Sequence, residues 1–130
     1  MPRDLIRADA ATLSRGSRQI LAPMSLALRT GQVTIAVGPN GAGKSTMLQL
    51  FTGGLSASSG YVSFDGRRMS DWRSRHLARR RAVLSQAQTL PFPFTVHEVV
   101  ELGLETAGGG RGTALIPGIL ARVGLDGFGG

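Results

Sequence analysis

The chain has 130 residues, 42% of them hydrophobic, which suits one domain with its own core. It has no cysteine, so disulfides, thiolate metal sites and cysteine nucleophiles are excluded. The net charge is +7, no apolar run approaches the roughly 18 residues of a membrane span, and the N-terminus lacks the apolar region of a secretory signal, so we expect a cytosolic protein.

The first part of the chain predicts strands joined by short turns. Residues 5–12 alternate loosely, and residues 24–28 alternate apolar and small side chains as a half-buried strand does. Turns are expected at residues 14–17 and at Thr30-Gly31. Residues 32–37 are apolar and rich in β-branched side chains, which is typical of a buried parallel strand.

A glycine-rich motif follows that strand directly. It fits G-x-x-x-x-G-K-[ST], the phosphate-binding loop of nucleoside triphosphatases, and consists of Gly38, Pro39, Asn40, Gly41, Ala42, Gly43, Lys44, Ser45 and Thr46. Its glycines let the backbone approach a phosphate, and successive N–H groups then form an anion-binding concavity. Lys44 is the only lysine in the chain. We predict that Lys44 bridges the β and γ phosphates and that the Ser45 hydroxyl ligates Mg²⁺.

Short helices and strands are expected after the loop. A helix over residues 45–52 should stop at Gly53-Gly54, and a strand over residues 61–64 should close at the Asp65-Gly66 turn. A helix is expected from Ser70 or Asp71 to about Arg81, followed by a strand over residues 82–86.

Two further helices are expected beyond that strand. Thr95 and Glu98 match a capping box, and the helix they begin has an apolar face made by Val96, Val99, Val100 and Leu102. A last helical stretch, about residues 118–123, should end at Gly124.

Seven arginines cluster between residues 67 and 81. Such a cluster indicates either a nucleic-acid or membrane surface or simply a solvated helix face. No nucleic-acid motif accompanies it and aromatic residues are few, so we favour the solvated face and expect no nucleic-acid partner.

The loop and several later segments resemble the ATP-binding subunits of ABC transporters. Residues 59–66 are similar to the strand and turn that follow the first helix in that family, and residues 83–86 are similar to the strand that leads to its Q-loop glutamine, here Gln86. The resemblance implies an α/β P-loop NTPase fold, of which residues 1–130 form an incomplete domain. That part would contain a parallel core strand, an antiparallel β subdomain and the start of the helical subdomain.

Within the family, the chain looks most like the ATP-binding subunit of bacterial haemin importers, on residues 71–84 and 92–96. Cobalamin and ferric-siderophore importers share much of this pattern. The resemblance implies ATP and Mg²⁺ as cofactors, a catalytic role for Lys44 and Gln86, and Mg²⁺ contacts from Ser45 and Gln86. It also implies a membrane permease facing Phe92 to Glu101, a head-to-tail homodimer of the full-length parent, and a peripheral position on the cytoplasmic face of the inner membrane.

The sequence departs from the family pattern in three places. Arg15 or Ser14 stands where the family places an aromatic ring against adenine. The sequence contains no apolar strand ending in Asp-Glu, because Asp65 follows a serine-containing strand and reads as a turn residue. The signature Leu-Ser-Gly-Gly-Gln and the switch histidine are also missing. We therefore expect a fragment that is poorly stable and does not hydrolyse ATP alone.

Three alternatives stay open on the sequence. The short chain could be a non-hydrolysing nucleotide-binding module, which the missing carboxylate pair favours. A basic nucleic-acid-binding protein is a second alternative, and a P-loop kinase is a weaker third, since no lid or acceptor-site pattern is visible.

Overall fold

The computed structural model describes residues 1–86, 93–106 and 112–128. The chain divides into two units, Met1–Arg73 and Ser74–Gly130. The first contains the sheet and the glycine-rich loop, and the second contains helices.

Four antiparallel strands form the sheet of the first unit. They are β1 (Asp4–Arg15), β2 (Arg18–Arg29), β3 (Ser59–Phe64) and β4 (Arg67–Arg68), in the spatial order β2-β1-β3-β4. The predicted strands over residues 5–12, 24–28 and 61–64 are confirmed, and all three extend beyond the predicted limits. The turn between β3 and β4 has positive φ at both Asp65 (52°) and Gly66 (76°), as a two-residue type I′ hairpin requires.

A β-bulge interrupts the ladder between β1 and β3. Asp9 pairs with Tyr61 and Thr12 with Ser59, so Ala10 and Ala11 together oppose Gly60. Ala10 has φ of 43°, and a Cβ on Gly60 would overlap the Ala10 carbonyl group. The bulge therefore needs a glycine on the opposing strand.

One helix packs on this sheet and closes its core. Helix α1 (Lys44–Phe51) buries Leu50 and Phe51 against Ala8, Ala11 and Val62. It ends where the sequence predicts, because Gly53 has φ of 71° and the Gly54 N–H donates to the Gln49 carbonyl at 2.8 Å.

The predicted strand over residues 32–37 is not a sheet strand in the structure. It belongs to no ladder among the described residues, and Val33, Ile35 and Val37 are 90%, 78% and 87% exposed. A parallel strand forms only when neighbouring strands pair with its edges. The described strands of this unit pair only with one another, so the segment lacks a partner here and its apolar side chains are exposed.

Two further elements differ from the sequence predictions. A 3₁₀ turn (Met69–Asp71) and a five-residue helix, α2 (Ser74–Ala78), replace the single helix expected to reach Arg81. The chain leaves helical geometry at Trp72, whose ring packs edge-on against Phe64 and whose indole N–H donates to the Phe64 carbonyl. The strand expected over residues 82–86 is absent from the described structure, and Leu84 is exposed.

The second unit is helical. Helix α3 (Val96–Thr106), a 3₁₀ turn (Gly112–Leu115) and helix α4 (Ile116–Arg122) pack together, with Ile116 and Leu120 buried. Helix α4 ends as predicted, since Gly124 has φ of 73° and the Leu125 N–H donates to the Leu120 carbonyl at 2.8 Å. No helix in the described ranges has the length and apolar character to cross a membrane.

Candidate functional site

The glycine-rich loop occupies residues 38–43, directly before α1. Gly41 and Gly43 have φ of 83° and 87°, in the left-handed region that a residue with a Cβ enters only at a cost. The Ala42 N–H donates to the Pro39 carbonyl at 3.2 Å and closes a turn within the loop. The motif glycines thus set a backbone path that other residues would strain.

The start of α1 presents unpaired backbone donors. Gly43 occupies the N-cap, and within the described residues no side chain caps the helix there. The first intrahelical bond runs from the Met47 N–H to the Gly43 carbonyl at 2.8 Å. The N–H groups before Met47 therefore have no partner inside the helix, and the positive end of the helix dipole lies beside them. This arrangement suits an anion.

The Lys44 ammonium lies over the loop. Its Nζ donates to the carbonyls of Gly38 and Pro39, each at 2.7 Å. An ammonium has three donors, so these two bonds leave one for a further acceptor. The Gly38 and Pro39 carbonyls thus hold the single lysine charge of the chain at the glycine-rich loop. The Ser45 side chain is exposed on the first turn of the helix and accessible to a hydrated cation.

Strand β2 supports the loop from behind. A Cβ on Gly43 would lie 3.2 Å from Leu21 Cδ1 and 3.8 Å from the Ile20 carbonyl oxygen. A larger residue at position 43 would therefore push the loop away from β2. The sequence motif does not reveal this support, because Leu21 is distant in sequence and belongs to another element.

The turn between β1 and β2 carries two arginines near the loop. Arg15 and Arg18 are opposite each other in the β1–β2 backbone ladder, and both residues are exposed. Arg18 is two residues before Ile20, about 7 Å along the strand. No carboxylate of the described residues forms an ion pair with either guanidinium. Sequence reasoning singled out Arg15 and missed Arg18, although their spacing around Gly16-Ser17 was a usable signal.

The other predicted site residues lie in the second unit. Gln86 is exposed and follows α2, so its contact with Mg²⁺ stays a prediction. Phe92, the first residue of the segment expected to face a permease, lies outside the described residues. The remainder of that segment contains the start of α3.

The capping box at α3 is confirmed. The Thr95 N–H donates to Glu98 Oε2 at 2.7 Å, and the Glu98 N–H donates to Thr95 Oγ1 at 3.2 Å. Hydrogen bonds from the Thr95 backbone and hydroxyl, with a smaller contribution from the charge of His97, lower the pKa of the Glu98 carboxyl. Glu98 is thus a structural carboxylate at a helix start.

Asp65 is also structural. It occupies the β3–β4 turn and forms an ion pair with Arg3 at 2.6 Å between Oδ1 and Nη1. The interpretation of this residue as a turn residue, and not as the end of a catalytic strand, is confirmed.

Comparisons with known proteins found a family profile and relatives that match most of the chain. Residues 21–128 match the family profile described as ABC transporter. A hemin import ATP-binding protein of Rhodopseudomonas palustris (strain BisB18) is 43% identical over 93% of this chain, and one of Ruegeria sp. (strain TM1040) is 44% identical over 96%. These matches cover 45% and 48% of the relatives' own lengths, so the chain spans about half of them.

Solved structures show the same fold. An ATP-binding subunit of an ABC transporter superposes with a TM-score of 0.83 at 21% identity, covering 95% of this chain and 52% of that one. A nucleotide-free ATP-binding cassette superposes with a TM-score of 0.73, covering 97% of this chain and 56% of that one. The expected fold class is confirmed, apart from the core strand over residues 32–37, which is unpaired here.

Proposed function

The chain belongs to the ABC transporter family, and we propose that its loop at residues 38–46 binds the triphosphate of Mg²⁺-ATP. The family implies nucleotide binding, with Mg²⁺ generally used. The observation that carries the proposal is the juxtaposition of the uncapped start of α1 with the Lys44 ammonium, which the Gly38 and Pro39 carbonyls hold over the loop.

The residues of the loop have separate roles in this proposal. The backbone N–H groups of Gly41 and of Gly43 to Thr46 surround the phosphates, and Gly41 and Gly43 permit the close approach. When nucleotide binds, the Lys44 ammonium gives up a carbonyl contact and donates to the β and γ phosphate oxygens instead. Its hydrogen bonds to these charged oxygens are stronger than its bonds to neutral carbonyls. Pro39, Asn40 and Ala42 fix the turn.

Two side chains are proposed as Mg²⁺ contacts. The Ser45 hydroxyl is exposed at the first turn of α1, and Gln86 is assigned by its resemblance to the Q-loop residue. Bound Mg²⁺ would neutralise negative charge on the phosphates.

We further propose that the parent protein is the energy-coupling subunit of an importer for haemin. Support comes from the relatives, whose names describe hemin import, at 43% and 44% identity. In this proposal residues 92–101 face a membrane permease, two parent subunits pair head to tail, and the protein lies on the cytoplasmic face of the inner membrane. Import of cobalamin or a ferric siderophore is the alternative, and ATPase stimulation of the assembled transporter by each substrate-loaded binding protein distinguishes them.

A second candidate function is a nucleotide-binding module that does not hydrolyse ATP. The sequence favours it because no apolar strand ending in Asp-Glu is present to orient Mg²⁺ and water. Under both proposals the 130-residue chain alone releases no phosphate from ATP. A cooperatively melting chain with Mg²⁺-dependent phosphate release would contradict both.

The binding proposal is tested by titrating the chain with a fluorescent ATP analogue in the presence of Mg²⁺. Lys44→Ala removes the ammonium, and we expect its dissociation constant to rise by about tenfold or more, the scale of one charge-assisted bond. Arg122→Ala, which removes a positive charge from α4, is the matched control and should leave affinity within about twofold of the parent chain. Equal affinities in all three proteins would refute the loop as the site.

A further inference from the structure

A cavity lies at the edge of the sheet in the first unit, beside the point where β4 ends. Its volume is about 210 Å³, and Leu50, Leu55, Val62 and Met69 form its apolar walls. Leu50 and Val62 are only 1% and 5% exposed, so the core holds these walls in place. An aliphatic cavity of about 150 Å³ accepts benzene, and this one therefore has room for a ring or a branched chain with a small substituent.

The backbone of β3 adds hydrogen-bonding groups to one wall of the cavity. Strand β4 pairs with β3 only at Ser63 and Phe64. Residues 60–62 also line the cavity, and along them this edge of β3 has no ladder partner in the described part of the chain. Every second residue of a strand directs its N–H and C=O to the same edge, so the wall contains an N–H that an acceptor can satisfy.

A positive charge lies beside the same wall. Arg68 and Tyr61 both line the cavity, and the Arg68 guanidinium lies over the Tyr61 ring, 4.7 Å from its centroid. No carboxylate of the described residues forms an ion pair with Arg68. The ring thus orients a guanidinium whose charge is not neutralised, next to apolar walls and an unpaired strand edge. The hydroxyl-bearing residues Ser56 and Ser70 complete the polar part of the lining.

We propose that this cavity binds a small monocarboxylate with a compact apolar body, either a single ring or a short branched chain. The carboxylate accepts hydrogen bonds from the Arg68 guanidinium and from the free edge of β3, while the body packs against Leu50, Leu55 and Met69. A neutral hydrocarbon leaves the guanidinium and the strand edge without a partner, and inorganic phosphate leaves the apolar walls unfilled. None of residues 38–46 is among the described residues that line the cavity, so this site is independent of the proposed nucleotide site.

The test is an NMR titration of the full 130-residue chain, with labelled leucine and methionine methyl groups, in the absence of nucleotide. Benzoate should shift the methyl signals of Met69 and Leu55 and bind with a dissociation constant of about 1 mM or tighter. Benzyl alcohol retains the ring without the charge, and acetate retains the charge without the ring. Each should bind at least about tenfold more weakly than benzoate, because the site requires both features.

Two neighbouring arginines provide a matched pair of variants. Arg68→Gln removes the charge at the cavity and should raise the dissociation constant of benzoate about tenfold, the scale of one charge-assisted bond. Arg67→Gln is the control, because the Arg67 guanidinium lies over the Trp72 ring, donates to the Asp71 carbonyl and does not line the cavity. The control should bind benzoate within about twofold of the parent chain. Arg68→Lys keeps the charge and should recover part of the affinity that Arg68→Gln loses.

The methyl spectrum without ligand shows whether each variant keeps the fold of the first unit. Four outcomes would overturn the inference: no benzoate binding, shifts at the start of α1 in place of Met69 and Leu55, equal affinity for benzoate and benzyl alcohol, or equal losses in the two glutamine variants. Saturating Mg²⁺-ATP should leave benzoate binding unchanged, and displacement of benzoate by ATP would place the ligand at the loop instead. Absence of ATP binding alone would refute the proposed function and leave this site.

Discussion

Single residues decide whether the loop and the sheet can form. The glycines of the loop were predictable from the motif, because the spacing of Gly38, Gly43 and Lys44 is the signal. Gly60 was not predictable, because its constraint comes from Ala10, fifty positions earlier in the chain. A contact between distant segments leaves no trace in a local sequence pattern.

Gly60 and Gly66 provide a matched pair for testing this constraint. Both have positive φ, at 67° and 76°, but a Cβ at Gly60 overlaps the Ala10 carbonyl whereas nothing lies within 4 Å of one at Gly66. Gly66→Ala should therefore cost about 1 kcal/mol, from the left-handed conformation alone. Gly60→Ala should cost more, about 2–4 kcal/mol, because the bulge must also move.

Amide hydrogen exchange along β1 and β3 measures both effects in the full chain. Faster exchange in Gly60→Ala than in Gly66→Ala supports the steric account. Equal exchange rates would show that the bulge relaxes freely.

The two arginines at the β1–β2 turn carry a prediction about the base end of the nucleotide. Guanidinium groups stack on base faces, and the Arg15 and Arg18 side chains are exposed near the support of the loop. The double substitution Arg15→Ala/Arg18→Ala should weaken ATP binding about three- to tenfold and tripolyphosphate binding less. Equal losses for the two ligands would mean that the arginines act only through their charge.

At the scale of elements, local signals predicted more than long-range ones. Residues adjacent in the sequence determine helix α1, the capping box of α3 and the helix end at Gly124. Each of these predictions is confirmed. The segment at 32–37 has the composition of a strand but no partner in the described chain. The helix expected to reach Arg81 is interrupted at Trp72, where the backbone is extended and the ring packs against Phe64, a tertiary contact.

The capping box of α3 predicts a pH dependence. The pKa of Glu98 is lowered in the folded chain by its bonds to Thr95, so the unfolded carboxyl, near 4.3, binds its proton at higher pH than the folded one. The stabilisation is then complete above about pH 4.3 and is lost as the pH falls through the lowered value.

Carbon-13 NMR titration of the Glu98 carboxyl in the full chain measures this shift. Thr95→Ala removes the hydroxyl and should return the Glu98 pKa towards its ordinary value while weakening the start of α3, with faster amide exchange at Val99. An unchanged Glu98 titration in Thr95→Ala would mean that the backbone bond alone sets the pKa.

At the scale of the whole molecule, the chain combines the phosphate-loop motif with an extended apolar segment that pairs with no described strand. Its first unit has a buried cluster around Ala11, Leu50 and Phe51, and the same unit exposes Val33, Ile35 and Val37. The family, the fold class and the loop were predictable from the sequence, since they depend on one contiguous motif and its neighbours. The role of Gln86 stays a prediction, because local patterns do not specify the surroundings of that residue.

Competition binding tests the central claim most directly. With a fluorescent ATP analogue and Mg²⁺ bound to the chain, inorganic tripolyphosphate should displace the analogue and adenosine should not, because the loop at residues 38–46 holds the phosphates. In Lys44→Ala, tripolyphosphate should displace the analogue no better than adenosine does. Displacement by adenosine at concentrations where tripolyphosphate has no effect would contradict the account.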